Sequence, residues 1–230
     1  MKQDPYRIEY EFRFEDGTVR NFDIVIDPHR MEAIRPQSDS APAWARLAFK
    51  RCNCCALSET ETAHCPIARN IAEIVEEFKD TISYKDCTVV CRTPERTYMK
   101  DCTVTDGLVS IFGLLNATSG CPTMGLFKPM ARFHLPFATT EETVARSTSM
   151  YLLGQYFVHR RHGQPDLDLK RLDEHFEQVR HIDACLLERI RSVSQKDADD
   201  NALVALHAMA DILSMQIEYK LKNLEYLFGE

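Results

Sequence analysis

The 230-residue chain lacks several features that identify a protein class from sequence alone. No apolar run approaches the roughly 18 residues that a transmembrane helix needs. The opening residues, MKQDPYRIEYEFRF, lack the apolar core of about 7 to 15 residues that marks a signal peptide. Basic residues are not in excess, and the formal net charge of −7 argues against a nucleic-acid surface, because phosphate contacts need a basic face. We therefore expect a cytoplasmic protein with no membrane or nucleic-acid partner.

Cysteine, in contrast, is abundant. The chain has nine cysteines, and four of them fall in the stretch RCNCCALSETETAHCPIARN, residues 51–70. In a reducing cytosol, clustered cysteines favour metal binding or redox chemistry over disulfides. An odd count also leaves one thiol over in any disulfide framework.

The spacing of four cysteines predicts a metal site. Cys52 and Cys55 form a C-x-x-C turn that brings two thiolates toward one ion. Cys65 directly precedes a predicted helix, whose free N–H groups favour a thiolate. Cys121 follows the end of another predicted helix and completes a tetrahedral set. We expect zinc, with an iron–sulfur cluster as the alternative because Cys-Pro recurs in such sites, and packed thiols without any metal as the remaining possibility.

The other five cysteines are interpreted as structural. Cys54 adjoins Cys55, and neighbouring residues on a turn rarely face one ion together. The rest have apolar neighbours in predicted strands or on a helix face, where free cysteine behaves as a small hydrophobic residue. They are Cys87, Cys91, Cys102 and Cys185.

A different interpretation makes the protein an enzyme. The segment KPMARFHLPF places Arg132 and His134 in apolar surroundings, a short distance along the chain from Cys121. His134 would serve as a metal ligand at an open site, or as a base for a reactive Cys121. A histidine in such a segment is more often a hydrogen-bonded core residue. Catalytic residues therefore stay unknown, with Cys121, His134 and Arg132 as the candidates.

Apolar periodicity predicts an α+β fold in which a small antiparallel sheet precedes a helical layer. Alternation over residues 6–26, with a turn at Asp16-Gly17, predicts a hairpin, and residues 86–92 and 96–104 predict a second. Residues 44–50 are predicted as a strand and residues 121–137 as a packed irregular segment. We expect one domain over residues 1–230, β-rich to residue 104 and helical from residue 105.

Helices are predicted from Pro66, around residues 108–115, and three times within residues 139–228. Thr139 and Glu142 form a capping box at the start of the first of these three. Short connections make the long helices antiparallel neighbours. A further interpretation is thus a helical scaffold that forms a homodimer through its C-terminal helices.

The order of CNCCAL, HCPIA, TSGCP, PMARFHLPFAT and SMYLLGQYF resembles an uncharacterised bacterial family with cysteine motifs, a domain of unknown function. The resemblance covers most of the chain. The family pattern, Cys-x-x-Cys-Pro-Leu, then Cys-Pro, then Ser-Gly-Cys-Pro, implies the grouping of Cys52, Cys55, Cys65 and Cys121. The chain departs from the pattern at Ala56, which replaces a proline. The resemblance implies no activity.

The leading hypothesis is a cytosolic regulatory or interaction domain whose thiolates bind a metal and tie residues 51–66 to residues 119–123. An unknown protein would be its partner. The sequence identifies neither a substrate nor that partner.

Overall fold

The structure is a computed structural model that describes residues 4–35, 41–193, 197 and 221–229. Five antiparallel strands form one sheet in the order β3-β2-β1-β4-β5. The strands are β1 (Tyr6–Phe14), β2 (Val19–Asp27), β3 (Glu32–Ala33), β4 (Asp86–Arg92) and β5 (Thr97–Thr103). Both predicted hairpins are present.

The helices follow the predicted pattern over most of the chain. They are α1 (Pro66–Phe78), α2 (Val104–Ala117), α3 (Lys128–Arg132), α4 (Thr140–Arg160) and α5 (Lys170–Arg191). Both α2 and α4 begin at a capping box, the second being the predicted pair Thr139 and Glu142. The α+β fold is confirmed. Among the described residues, no helix is both long and apolar enough to cross a membrane.

The core lies between the inner face of the sheet and the helices. Alternate residues of β1 are buried, because neighbouring side chains of a strand point to opposite faces. The same cluster of buried residues includes side chains of α1, α2 and α5. The β-rich and helical parts of the chain therefore contribute to one shared core, and α5 packs in the same cluster as the strands.

Close packing of α2 on the sheet requires glycine at position 107. A Cβ there would lie 2.4 Å from Cε1 of Phe12 and 2.9 Å from Cγ2 of Val89. We expect Gly107→Ala to lower the free energy of unfolding by about 1 to 3 kcal/mol through overpacking. Gly113→Ala is the matched control on α2, since a Cβ there meets nothing within 4 Å. It should stabilise the protein by up to about 1 kcal/mol, and equal denaturation midpoints for the two variants would contradict the packing argument.

Two segments differ from the prediction. Residues 44–50 are not a strand: Ala43–Ala45 is a 3-10 helix, and turns follow it with one isolated bridge from Arg46 to His64. Carbonyl groups of this segment bind an arginine of α5 and so cannot form a strand ladder. Residues 121–137 are not irregular throughout, because they contain a 3-10 helix at Thr123–Phe127 and then α3.

Prolines explain the helical turns in that second segment. Pro122 directly precedes the 3-10 helix, and Pro129 lies in the first turn of α3. Proline fits at these positions because the first N–H groups of a helix have no partner within it. The third helix predicted within residues 139–228 lies mostly outside the described residues. Within 221–229, a 3-10 helix at Glu225–Phe228 is present. The proposed dimer surface is centred on the same undescribed part.

Candidate functional site

A buried arginine on α5 organises the region around the cysteines. Arg189 is 1% exposed. Its Nη1 donates to the carbonyl oxygens of Trp44 (2.7 Å) and Arg46 (2.9 Å), and its Nη2 donates to that of Leu47 (3.3 Å). Hydrogen bonds from a charged donor are stronger than neutral ones. Arg189 therefore fixes residues 44–47 against α5, and its side chain was not identified from the sequence.

The cysteine-rich loop is closed at its base by the same segment. The N–H of Leu47 donates to the carbonyl of Ala63 at 2.9 Å, and the N–H of Cys65 donates to that of Ala45 at 2.8 Å. Between these bonds the chain forms turns, one of which has the N–H of Cys55 donating to the carbonyl of Cys52. The start of α1, with Cys65 at its N-cap, is thus held near α5.

Cys52 lies beside Cys185 of α5. Burial raises the pKa of the Cys52 thiol well above its usual range, and the neighbouring Cys185 and Cys65 raise it further. Cys185 acts on Cys52 from the neighbouring helix α5. It is four positions before Arg189, on the same side of α5. The interpretation of Cys185 as a simple core residue is incomplete, because its sulfur faces the cysteine-rich loop.

Cys121 joins the same region from a distant part of the sequence. Burial raises the pKa of its thiol, the backbone N–H groups of Met124 and Thr123 partly offset this, and the charges of Cys65 and Cys55 act to raise the pKa again. Electrostatic interactions therefore link Cys121 to Cys65 and Cys55, and Cys52 to Cys65. Nothing in these contacts identifies a bound ion.

Cys54 belongs to this group as well. Its thiol donates to the carbonyl of Gln178 on α5 at 3.9 Å. Burial raises the pKa of the Cys54 thiol, and the neighbouring Cys185 and Cys55 raise it further. We refer to the six residues as the cysteine cluster: Cys52, Cys54, Cys55, Cys65, Cys121 and Cys185. Across the part of the chain that the structure describes, no three histidine, cysteine, aspartate or glutamate side chains are placed to hold a metal ion. The sulfur atoms of the cysteine cluster lie in one region but do not form a preformed coordination site among the described residues.

The remaining cysteines lie in the sheet, as predicted. Cys87 and Cys102 are directly opposite each other on β4 and β5, and their thiols interact. Cys91 is buried next to Tyr10, and burial raises its pKa to about 12. All nine cysteines are free thiols.

Arg132 is a surface residue whose contacts do not match the catalytic role predicted for it. Its Nη1 is 3.4 Å from Oε1 of Glu95, and its guanidinium lies over the ring of Tyr6, 4.4 Å from the centroid. The hydroxyl of Tyr6 donates to Oε2 of the same glutamate at 2.8 Å. Arg132 therefore joins α3 to the start of β1 and to the turn after β4.

His134 contacts core residues. Among the described residues, no hydrogen bond joins it to Cys121. Its Nε2 is 2.5 Å from the hydroxyl of Tyr10, which is buried in the sheet. Burial, together with the charge of Arg146, lowers the pKa of His134 to about 3. The ring is therefore neutral at physiological pH. The raised pKa of Cys121 likewise disfavours the thiolate that a nucleophile needs.

A model of the family described as Domain of unknown function (DUF6901) matches residues 8–229 of the chain. The resemblance to a domain of unknown function is thereby confirmed. Neither a curated protein nor a solved structure matches the chain.

Proposed function

The chain belongs to the DUF6901 family, whose function is unknown, and we propose that its cysteine cluster binds one thiophilic metal ion, zinc in the first place. The ligands would be Cys52, Cys55, Cys65 and Cys121. The domain would act in the cytosol as a regulatory or protein-interaction module. One observation carries the proposal: thiols from three separate parts of the chain interact electrostatically in one partly buried region.

The chemistry of this region favours a metal over isolated thiols. Zinc is bound by tetrahedral thiolates with Zn–S distances of about 2.3 Å. An ion would neutralise thiolates that burial otherwise disfavours, because the cation replaces the solvation that the sulfur atoms have lost. The two N–H groups near Cys121 partly offset the effect of burial on the pKa of its thiol. All nine cysteines being free thiols is consistent with a reducing compartment.

Metal binding would require a local rearrangement of the loop. Its base is fixed by the backbone bonds at Leu47 and Cys65, whereas residues 51–62 form turns that are free of regular secondary structure. The C-x-x-C turn would move toward Cys65 and Cys121 while α1 and α5 stay in place. Occupancy would then couple residues 51–66 to residues 119–123, and a partner protein would recognise this changed surface.

An enzyme built on Cys121 receives less support. Arg132 pairs with Glu95, His134 with Tyr10, and neither makes a hydrogen bond to Cys121. An iron–sulfur cluster uses the same thiolates and is distinguished from zinc by its colour. Zinc is therefore the proposed ion, and the metal content of the purified protein decides between a metal site and a reactive thiol.

We expect protein purified anaerobically to contain about one zinc ion per chain with no visible absorption, as a closed tetrahedral thiolate site requires. Cys65→Ser and Cys121→Ser should each lose most of that zinc, because serine is a poor ligand for it. Elemental analysis and an absorption spectrum measure both results. If the protein is brown and contains iron, the site holds an iron–sulfur cluster and not zinc.

Two control variants make the ligand set testable. Cys102→Ser removes a half-buried thiol of the sheet and should retain the zinc. Cys185→Ser removes a thiol of the cysteine cluster that is outside the proposed ligand set, and should also retain it. Loss of zinc from Cys185→Ser together with retention by Cys121→Ser would overturn the assignment. Protein that binds neither zinc nor iron would overturn the metal site itself.

A further inference from the structure

A cavity of about 360 Å³ lies between α2, α4 and α5, separate from the proposed metal ligands. Apolar side chains dominate its wall, chiefly Leu114, Met124, Phe127, Met130, Phe176 and Val179. The volume is within the range of about 300 to 1,000 Å³ that is typical of small-molecule sites. It would accommodate a molecule with an aliphatic body.

One end of the cavity carries two cationic side chains. Arg146 of α4 donates through Nη2 to the carbonyls of Met130 and Phe133, and its Nε and Nη1 bond to no described residue. Lys100 of β5 is exposed and lines the same cavity. Asp106 is the acidic residue near this end, and Glu142 partly offsets the charge of Arg146 from one turn away. The carboxylates balance the two cations in formal charge, so it is the unused N–H groups of Arg146, a fork of two donors, that suit a single carboxylate.

The other polar feature is a buried amide. Asn116 is 5% exposed, lines the cavity, and its Oδ1 has no hydrogen-bond donor in the ranges that the structure describes. An unpaired buried acceptor costs about 1 to 3 kcal/mol. A ligand hydroxyl would relieve that cost, and because a hydroxyl both donates and accepts it suits either end of the carboxamide. Asp183, 2% exposed, also lines the cavity.

The length of α2 gives the spacing between the two polar features. The N–H of Phe137 donates to Oγ of Ser110 at 2.7 Å, and Lys100 lies over the ring of Phe137, so the cationic end is level with Ser110. Asn116 is six positions further along the helix, which corresponds to about 9 Å at 1.5 Å per residue. A flexible aliphatic chain of moderate length spans this distance.

We propose that this cavity binds an ω-hydroxy aliphatic carboxylate, with the carboxylate at Arg146 and Lys100 and the hydroxyl at Asn116. The cavity contains none of the proposed metal ligands, so this binding site would give the protein a second function, as a small-molecule receptor. The apolar wall would hold the aliphatic chain, the cations would fix its direction, and Asn116 would select the hydroxylated member of the class.

Isothermal titration calorimetry of the full chain with ω-hydroxydecanoate and with decanoate tests the proposal. We expect saturable binding of the hydroxy acid in the micromolar range, at least about tenfold tighter than decanoate, since one satisfied buried amide corresponds to a factor of that size. Decylamine should not bind, because an ammonium group has no acceptor for the N–H groups of Arg146. No saturable binding of either acid, or tighter binding of decylamine, would overturn the proposal.

Two variants separate the polar contacts. Asn116→Leu removes the amide while keeping a similar volume, so it should bind the two acids equally. Lys100→Gln changes an exposed residue, leaves the fold intact, and should weaken both acids about threefold to tenfold, since the removed charge contributes at an exposed site. Retained preference in Asn116→Leu would contradict the placement of the hydroxyl. Unchanged affinity of both acids in Lys100→Gln would contradict the placement of the carboxylate.

Discussion

Replacing Arg189 with methionine should lower the free energy of unfolding by about 2 to 5 kcal/mol, because buried backbone carbonyls lose the donor that they bind. Methionine keeps a long apolar side chain but cannot donate to the carbonyls of Trp44, Arg46 and Leu47. The buried carbonyls of Trp44 and Leu47 are then left without donors, each costing about 1 to 3 kcal/mol before relaxation, whereas the carbonyl of Arg46 still accepts from the N–H of Phe49. Chemical denaturation monitored by circular dichroism measures the loss.

A control on the same helix isolates the effect of burial. Lys170→Met removes a charge that is 77% exposed and paired only with Asp168 on the surface, so it should change stability by less than about 1 kcal/mol. Arg189→Lys should fall between the two, because an ammonium group cannot reach three carbonyls in the fork geometry of a guanidinium. If Arg189→Met were as stable as Lys170→Met, the carbonyls would have found other donors and α5 would not position residues 44–47.

The affinity for zinc should fall steeply as the pH falls, by at least about 100-fold per unit between pH 8 and pH 6. Cys52 and Cys121 have pKa values raised by burial, so their thiols are protonated in this range without metal. Zinc binds the thiolates, and each of these two residues must release one proton on binding. Protons therefore compete with the ion, and lower pH weakens binding.

Competition with a chelator of known affinity at several pH values measures this dependence. Cys102→Ser should give the same slope as the unchanged chain, because Cys102 lies in the sheet outside the cysteine cluster. A slope of about tenfold or less per pH unit would mean that at most one thiol loses a proton on binding. That result would be incompatible with Cys52 and Cys121 as joint ligands.

Local sequence patterns predicted most of the fold. Alternation in β1 works because one face of the strand is buried and the other is not. The capping box at Thr139 and Glu142 predicted the start of α4 because its hydrogen bonds join residues only three positions apart. Such signals depend on neighbouring residues and survive without knowledge of the tertiary structure.

The contacts around the site join residues that are distant in sequence, and local sequence patterns could not predict these contacts. Residues 44–50 are apolar enough to suggest a strand, yet Arg189, more than 140 positions away, binds their carbonyls. Cys185 follows the apolar spacing of Ile182 and Leu186, which predicts a core residue and hides its approach to Cys52. His134 was identified, but its partner is Tyr10 of β1 and its position on the wall of the cavity follows from packing.

X-ray absorption at the zinc edge of the zinc-loaded chain tests the central claim most directly. If Cys52, Cys55, Cys65 and Cys121 share one ion, the first shell should contain four sulfur atoms at about 2.3 Å. Cys121→Ser should show at most three sulfur atoms in any zinc that it retains, and Cys102→Ser should match the unchanged chain. A shell of nitrogen and oxygen atoms, or the same sulfur shell in a chain with all four cysteines replaced by serine, would contradict a metal site in the cysteine cluster.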